Sequence, residues 1–383
     1  MDTELSSDQT FFRQTTAKFL DDHLPTSAVR ELRHSPDGFD RSYWKRGAEL
    51  GWTSLLASEQ AGGGSISGSG LIDLTLVAHE FGRHAAAGPL LAANVVAAAL
   101  SRREQDVGRH GAVLSGILSG DVVATWAWAG RRPDDKLGRV GVRATPTAAG
   151  DGWTLTGTAL PVEAGAQADQ VLVTTAGPDG GLSQFLVPTS ASGLSRRPLK
   201  TLDMTRRYAA LDFADVRVGP ESLVGAAGDA ADDVERQLQL AVMISCAETV
   251  GAMESAFEMT LAWAFDRYSF GRPLASYQAL KHRFAYMKSW LEASHGIAAQ
   301  AAQAVQFERE EAPRLVSVAK SYIGDHSVEL MQDCVQLHGG IGVTYELDLH
   351  LFLRRASQNR MLYGVPDEHR ERIAEILISG EAA

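Results

Sequence analysis

The sequence has almost no cysteine: Cys246 and Cys334 are its two. Each sits within an apolar helical pattern, so the reading is two buried thiols rather than a disulfide or a thiolate metal site. Long basic runs are absent too, and the formal net charge is -11 at pH 7, which together argue against nucleic acid as a partner. The start, Met1-Asp2-Thr3-Glu4, is acidic and carries no apolar signal region. No uninterrupted apolar run approaches the roughly 20 residues that cross a bilayer. A cytoplasmic protein without a membrane partner is the expectation. Internal repeats and a low-complexity tail are also missing.

What is present suits a large folded core. The 383 residues are 45% hydrophobic and 22% charged, a composition of ordinary globular domains, and the length predicts two or three of them. Ser6-Ser7-Asp8-Gln9 predicts a capping box ahead of Phe12, Phe19 and Leu20, and residues 71–81 repeat apolar positions at helical spacing. Between them residues 62–70 are rich in Gly and Ser, but without Gly-Lys-Ser/Thr or a preceding strand they predict a plain loop. From about residue 120 the pattern changes to short alternating runs at 140–142, 153–156, 171–173 and 184–187, with Gly-rich turns at 150–152 and 177–181. After residue 225 long apolar helices return, over about 232–266, 277–310 and 313–338, with two shorter ones after Leu347. The expected fold class is α+β. A helical domain spans 1–119, a β-barrel-like domain 120–225 and a helical bundle 226–383.

Two stretches carry candidate chemistry. Residues 267–278 read Arg-Tyr-Ser-Phe-Gly-Arg-Pro-Leu-Ala-Ser-Tyr-Gln, which places Arg267 at the end of one long helix and Gln278 at the start of the next, where an anion could be gripped. Residues 336–342 read Gln-Leu-His-Gly-Gly-Ile-Gly, a helix end at which backbone can come close to a flat or phosphorylated group. Taken together the chain resembles the acyl-CoA dehydrogenase family, whose members carry Arg-x-x-Phe-Gly with Gln eleven residues after the Arg, and later Gln-x-x-Gly-Gly-x-Gly. The likeness extends through Val343-Thr344-Tyr345-Glu346 and Leu351-Phe352-Leu353-Arg354-Arg355.

That resemblance implies FAD, an acyl-CoA substrate and an oligomer. It assigns Arg267, Phe270, Gln278, Gln336 and Gly340 to the dinucleotide, serving the flavin of a neighbouring subunit. The chemistry agrees, since Arg pairs bidentately with a diphosphate and Gln offers both donor and acceptor. Other family features are altered. The platform for the flavin ring reads Ala124-Thr125-Trp126-Ala127-Trp128-Ala129-Gly130, with Trp128, Ala129 and Gly130 in place of Thr-Glu-Pro. Gly-x-Lys-x-Trp-Ile-Thr becomes Gly157-Thr158-Ala159-Leu160-Pro161-Val162-Glu163. The family's catalytic carboxylate stands at one of two places, which here are Tyr363 and Ala241, so no catalytic residue is assigned. Glu248, two turns or ~10 Å along the helix from Ala241, is too far to abstract the proton and reads as a buried, paired carboxylate. Arg206 and Arg207 suit either a CoA phosphate or a solvated loop. No metal site is expected, because His282, His295, His326, His338 and His350 lack ligand spacing.

The expected function is therefore that of an acyl-CoA dehydrogenase-family subunit, engaged in α,β-dehydrogenation of a CoA thioester. It lacks the base and completes a shared FAD site beside a catalytic paralogue. Alternatives are a self-sufficient homomer with an unrecognised base, and a flavin-free scaffold of the same fold.

Overall fold

The computed structural model describes residues 5–130 and 139–381, so the acidic start at residues 1–4 lies outside the described residues. Six helices come first: α1 (Ser7–His23), α2 (Thr26–Glu31), α3 (Arg41–Glu49), α4 (Gly70–Arg83), α5 (Leu90–Ser101) and α6 (Glu104–Leu118). The expected capping box forms: the Gln9 N–H donates to Ser6 Oγ at 3.1 Å, and the Ser6 N–H donates to Gln9 Oε1 at 3.1 Å. Gln9 Nε2 then donates to Asp73 Oδ1 at 2.9 Å and ties α1 to α4. Residues 62–69 form a loop ahead of α4, as expected.

The middle of the chain is one eight-stranded mixed sheet. Its strands are β1 (Ala124–Ala127), β2 (Val142–Pro146), β3 (Trp153–Glu163), β4 (Gln170–Ala176), β5 (Leu182–Pro188), β6 (Leu194–Leu199), β7 (Tyr208–Val218) and β8 (Leu223–Val224). The order is β6-β7-β3-β2-β4-β5-β8, with β1 added parallel to β4. Val142, Leu155, Val171, Phe185 and Leu211 come from five strands yet meet in one buried cluster. A single sheet achieves this only by curling so that one face is inward, which is the barrel-like form. Alternation sends their neighbours Trp126, Leu172 and Leu186 to the other face, where they join the helical core.

Two strand readings change. The run at 140–142 becomes β2 only from Val142 onward, while Val140 makes an isolated bridge to Ala129. β6, Leu-Ser-Arg-Arg-Pro-Leu, was not foreseen, because an exposed edge strand needs no apolar alternation and tolerates Pro198.

The last part is helical: α7 (Ala231–Asp266), a hairpin of β9 (Tyr268–Ser269) and β10 (Arg272–Pro273), then α8 (Gln278–Gln306), α9 (Ala312–His338), α10 (Leu349–Met361) and α11 (Pro366–Glu381). The 36 residues of α7 include a stretch apolar enough to cross a membrane, but 89% of that stretch is buried inside the protein, so it is a core helix. It crosses α4 closely at two glycines. A Cβ on Gly82 would lie 1.9 Å from the Glu248 carbonyl oxygen, and one on Gly251 would lie 2.0 Å from that of His79.

Candidate functional site

The two chemistry-bearing stretches meet at the ends of α7 and α9. Arg267 caps α7, its N–H bonded to the Trp263 carbonyl at 2.8 Å, and its guanidinium lies 5.8 Å from the Trp263 ring. Trp263 in turn stacks on His338, the last residue of α9, at 5.4 Å. One column of side chains thus brings Arg267 toward Gln336 and the Gly339-Gly340 pair. Arg267, Gln278, Gln336, Gly339 and Gly340 are all exposed. A Cβ on Gly340 would meet nothing within 4 Å, so the chain's own packing does not require glycine there and the backbone stays approachable. His338 Nε2 and Trp263 Nε1 are buried without hydrogen-bond partners.

Phe270 is the outlier of this surface. It sits at the tip of the β9–β10 hairpin with φ 48°, followed by Gly271 at φ 80°, a turn whose first position ordinarily takes Asn, Asp or Gly. A bulky side chain in that conformation costs about 1 to 2 kcal/mol. Yet Phe270 is 96% exposed and recovers nothing by packing. The hairpin is held stiff around it: Tyr277 Oη donates to the Ser269 carbonyl at 2.7 Å, and the Arg272 guanidinium stands 3.8 Å over the Tyr277 ring.

The region expected to hold a flavin ring is built in the opposite way. Trp126 and Trp128 are nearly parallel at 5.3 Å, and Tyr363 continues the stack 6.5 Å from Trp126. Trp126 Nε1 donates to Thr174 Oγ1 at 3.0 Å, which fixes its rotamer. Glu163, at the end of β3, is 5% exposed and lies 3.2 Å from Arg206. Arg206 also bonds Glu248, whose Oε1 accepts from Arg355 at 2.7 Å and whose Oε2 accepts from Asn359 at 3.0 Å. Arg355 further binds Asp203 and donates to the Ala86 carbonyl at 3.0 Å.

Three carboxylates thus share two guanidiniums, and one negative charge is in excess. Burial raises the pKa of Glu163, partly opposed by Arg206, which makes it the group best placed to hold a proton. Burial also works to raise Asp203, but Arg355 and the Thr205 N–H hold it below its usual value. On the side facing Phe39 and Pro89, the cavity that Glu163 and Arg206 line has a volume of about 10 Å³.

The described residues offer suitable groups for an implied flavin at its dinucleotide end. The exposed cations, amides and bare glycine backbone suit a diphosphate and adenine. Among the described residues, stacked indoles and a packed ion cluster stand where a ring is expected. Ala241 is fully buried without a carboxylate, and Glu248 is paired, as expected. A separate 470 Å³ cavity, lined by Leu56, Arg102, Arg236 and Leu240, lies roughly 40 Å from Arg267 by the rise of α7.

Four placements escaped the sequence reading. Arg206 is 4% exposed within the cluster, so it neither waits for CoA nor faces solvent. Arg207 is likewise engaged, donating to the carbonyls of Met204 and Ser35 at 2.7 and 2.6 Å. Arg355 had a usable signal, because it follows Leu351 and Phe352 by four and three residues and so falls on their buried face. Tyr363 was noted only as a missing carboxylate, and its stacking on a residue far away in sequence left no local trace.

This arrangement defines a helix–sheet–helix chain with exposed cationic and amide groups at the ends of α7 and α9. Residues 6–103 and 232–378 match the family models described as "Acyl-CoA dehydrogenase, N-terminal domain" and "Acyl-CoA dehydrogenase, C-terminal domain". The acyl-CoA dehydrogenase FadE27 of Mycobacterium tuberculosis is 30% identical over 88% of this chain and 87% of its own. The acyl-CoA dehydrogenase IpdE2 of Mycolicibacterium smegmatis is 27% identical over 96% and 98%. Among solved structures, the ChsE4–ChsE5 complex from Mycobacterium tuberculosis superposes with a TM-score of 0.86 at 26% identity, covering 99% of both chains. The Tcur3481–Tcur3483 steroid ACAD variant gives 0.86 at 26%, covering 98% and 99%. The chain belongs to the acyl-CoA dehydrogenase family, flavoprotein oxidoreductases that act on CH–CH bonds.

Proposed function

We propose that this chain is the base-lacking subunit of a hetero-oligomeric acyl-CoA dehydrogenase. It lends Arg267, Phe270, Gln278, Gln336 and Gly340 to the dinucleotide end of an FAD whose ring sits in a paralogous partner. One observation carries the reading: the ring region is filled by Trp126, Trp128 and Tyr363 over a packed ion cluster, while the grip remains exposed. A bound flavin supplies the hydride acceptor in α,β-dehydrogenation, and the partner supplies the carboxylate that removes the α-proton. This chain's part is positioning. Arg267 offers its fork to the diphosphate, the two glutamines present amide edges, and Phe270 inserts at the subunit boundary, where burial offsets its backbone strain.

Similarity to the ChsE4–ChsE5 complex and to the steroid pair Tcur3481–Tcur3483 supports a hetero-oligomer and a steroid-derived CoA thioester as substrate. In this reading residues 1–119, 120–225 and 226–383 are the three units of a cytoplasmic protein. The test is co-expression with the dehydrogenase-family chain encoded beside it, comparing wild type with Arg267→Ala. Losing one charge-assisted grip of about 1.5 to 3 kcal/mol should weaken flavin retention and acyl-CoA oxidation roughly tenfold to a hundredfold, with the complex still assembled. Unchanged flavin content and rate in the variant complex would overturn the assignment.

A further inference from the structure

Away from the grip and the filled ring region, α4, α7 and α8 converge on His79, Glu254 and His295. These residues lie far apart in sequence and show no ligand spacing, but each brings one ligand atom into a group whose members all lie within 4.8 Å of one another. His79 Nε2 is 2.9 Å from Glu254 Oε2, and the two imidazoles are 5.5 Å apart. His79 is 8% exposed, and Glu254 is the partner that its buried Nε2 has. A buried imidazole whose partner at Nε2 is a carboxylate that also meets Arg83, with a second imidazole alongside, has the arrangement of a set of metal ligands.

The surroundings fix this nitrogen in place. Gly251, one turn before Glu254, lets the α7 backbone touch α4 at the His79 carbonyl. His79 Nδ1 lies 3.5 Å from Glu80 Oε1, and Glu80 is 3% exposed. When a cation displaces the proton between Nε2 and Glu254, the Glu80 carboxylate behind the far ring nitrogen keeps the remaining proton on Nδ1 and leaves the Nε2 lone pair to the metal.

We infer that His79, Glu254 and His295 form a transition-metal site of the zinc class, with Glu80 positioning His79 and a fourth coordination position open to water. Two imidazoles and one carboxylate suit Zn²⁺ or Co²⁺. Calcium and magnesium are disfavoured, because they call for oxygen ligands. Other charges face the site. Arg83 Nη1 lies 3.0 Å from Glu254 Oε2, but Arg83 also holds Glu258 at 2.7 Å and keeps that partner when Glu254 turns to a metal. On α8, Lys288 is paired with Glu292 at 2.5 Å. His295 and Glu254 are half-buried, which leaves a path from solvent. The bound ion would fasten the N-terminal helix α4 to two helices of the C-terminal bundle, a structural role independent of the proposed flavin grip.

The test uses the full chain stripped with chelator and titrated with ZnCl₂ or CoCl₂, reading bound metal after gel filtration, melting temperature, and the visible spectrum of the cobalt form. One metal per chain, a higher melting temperature and a four-coordinate cobalt spectrum are expected. His295→Ala, at a half-buried position, should abolish all three with the far-ultraviolet circular dichroism of the chain unchanged. Glu80→Gln should weaken the affinity by about tenfold to a hundredfold. Absence of binding at submillimolar zinc, or equal binding by wild type and His295→Ala, would overturn the site and leave His79 and Glu254 as an ion pair.

Discussion

In the proposed reading the ends of α7 and α9 are a grip half and the region between β1, β3 and α10 a ring half of the family's cofactor sites, and in this chain the two are built in opposite ways. The grip half keeps exposed polar groups, an unobstructed glycine and an aromatic in a strained turn. The ring half has been converted to core, with three stacked aromatics above five buried charges. A group kept for the chain's own stability is buried and bonded, whereas one kept for something outside the chain is exposed and held at a cost. Phe270 belongs to the second kind and Arg355 to the first.

Breaking the ring half should show its structural character. Arg355→Met leaves Asp203 and Glu248 short of their shared cation, and removing one partner of a buried ion pair costs about 3 to 5 kcal/mol; urea denaturation of the chain should show this loss or a failure to fold. Trp126→Ala removes the middle ring of the stack and should cost about 3 kcal/mol, again read by urea, without conferring flavin binding, because Glu163 and Arg206 stay in place. A variant that gains flavin would show that only the indoles exclude the ring.

The grip half should respond with the opposite sign. Phe270→Gly relieves a left-handed aromatic and should stabilise the isolated chain by about 1 kcal/mol, seen as a higher urea midpoint, while weakening assembly with the partner on gel filtration. The smallest effect concerns Glu163. Because burial raises its folded pKa, the unfolded chain loses this proton first as pH rises, so the group's contribution is full below the ordinary carboxylate pKa and declines through the folded pKa. Glu163→Gln should therefore gain stability relative to wild type as pH rises above the ordinary carboxylate range. A flat difference would mean that Arg206 keeps Glu163 ionised throughout.

Much of this contrast was legible in the sequence, and for local reasons. The grip is made by helix ends, which Arg267, Gly271, Pro273 and Gly339 mark by their chemistry, so α7, α8 and α9 fell within a few residues of expectation. Trp126, Trp128 and Glu163 stood out because they replace what the family carries. The ion cluster was not legible as a whole, since Arg206, Glu248 and Arg355 meet only through tertiary packing and each alone resembles an ordinary charge. β6 escaped for the converse reason, because an exposed edge strand leaves no apolar rhythm. His79 and His295 carried no signal at all until α4 and α8 were seen to cross α7.

The most direct test of the account is the flavin count of this chain, purified alone and then with its co-expressed partner, by visible absorbance against protein concentration. The account predicts little or no flavin on the chain alone, and one flavin for each pair of unlike chains in the complex. One oxidised flavin per chain from the protein alone, reduced on addition of an acyl-CoA, would contradict it.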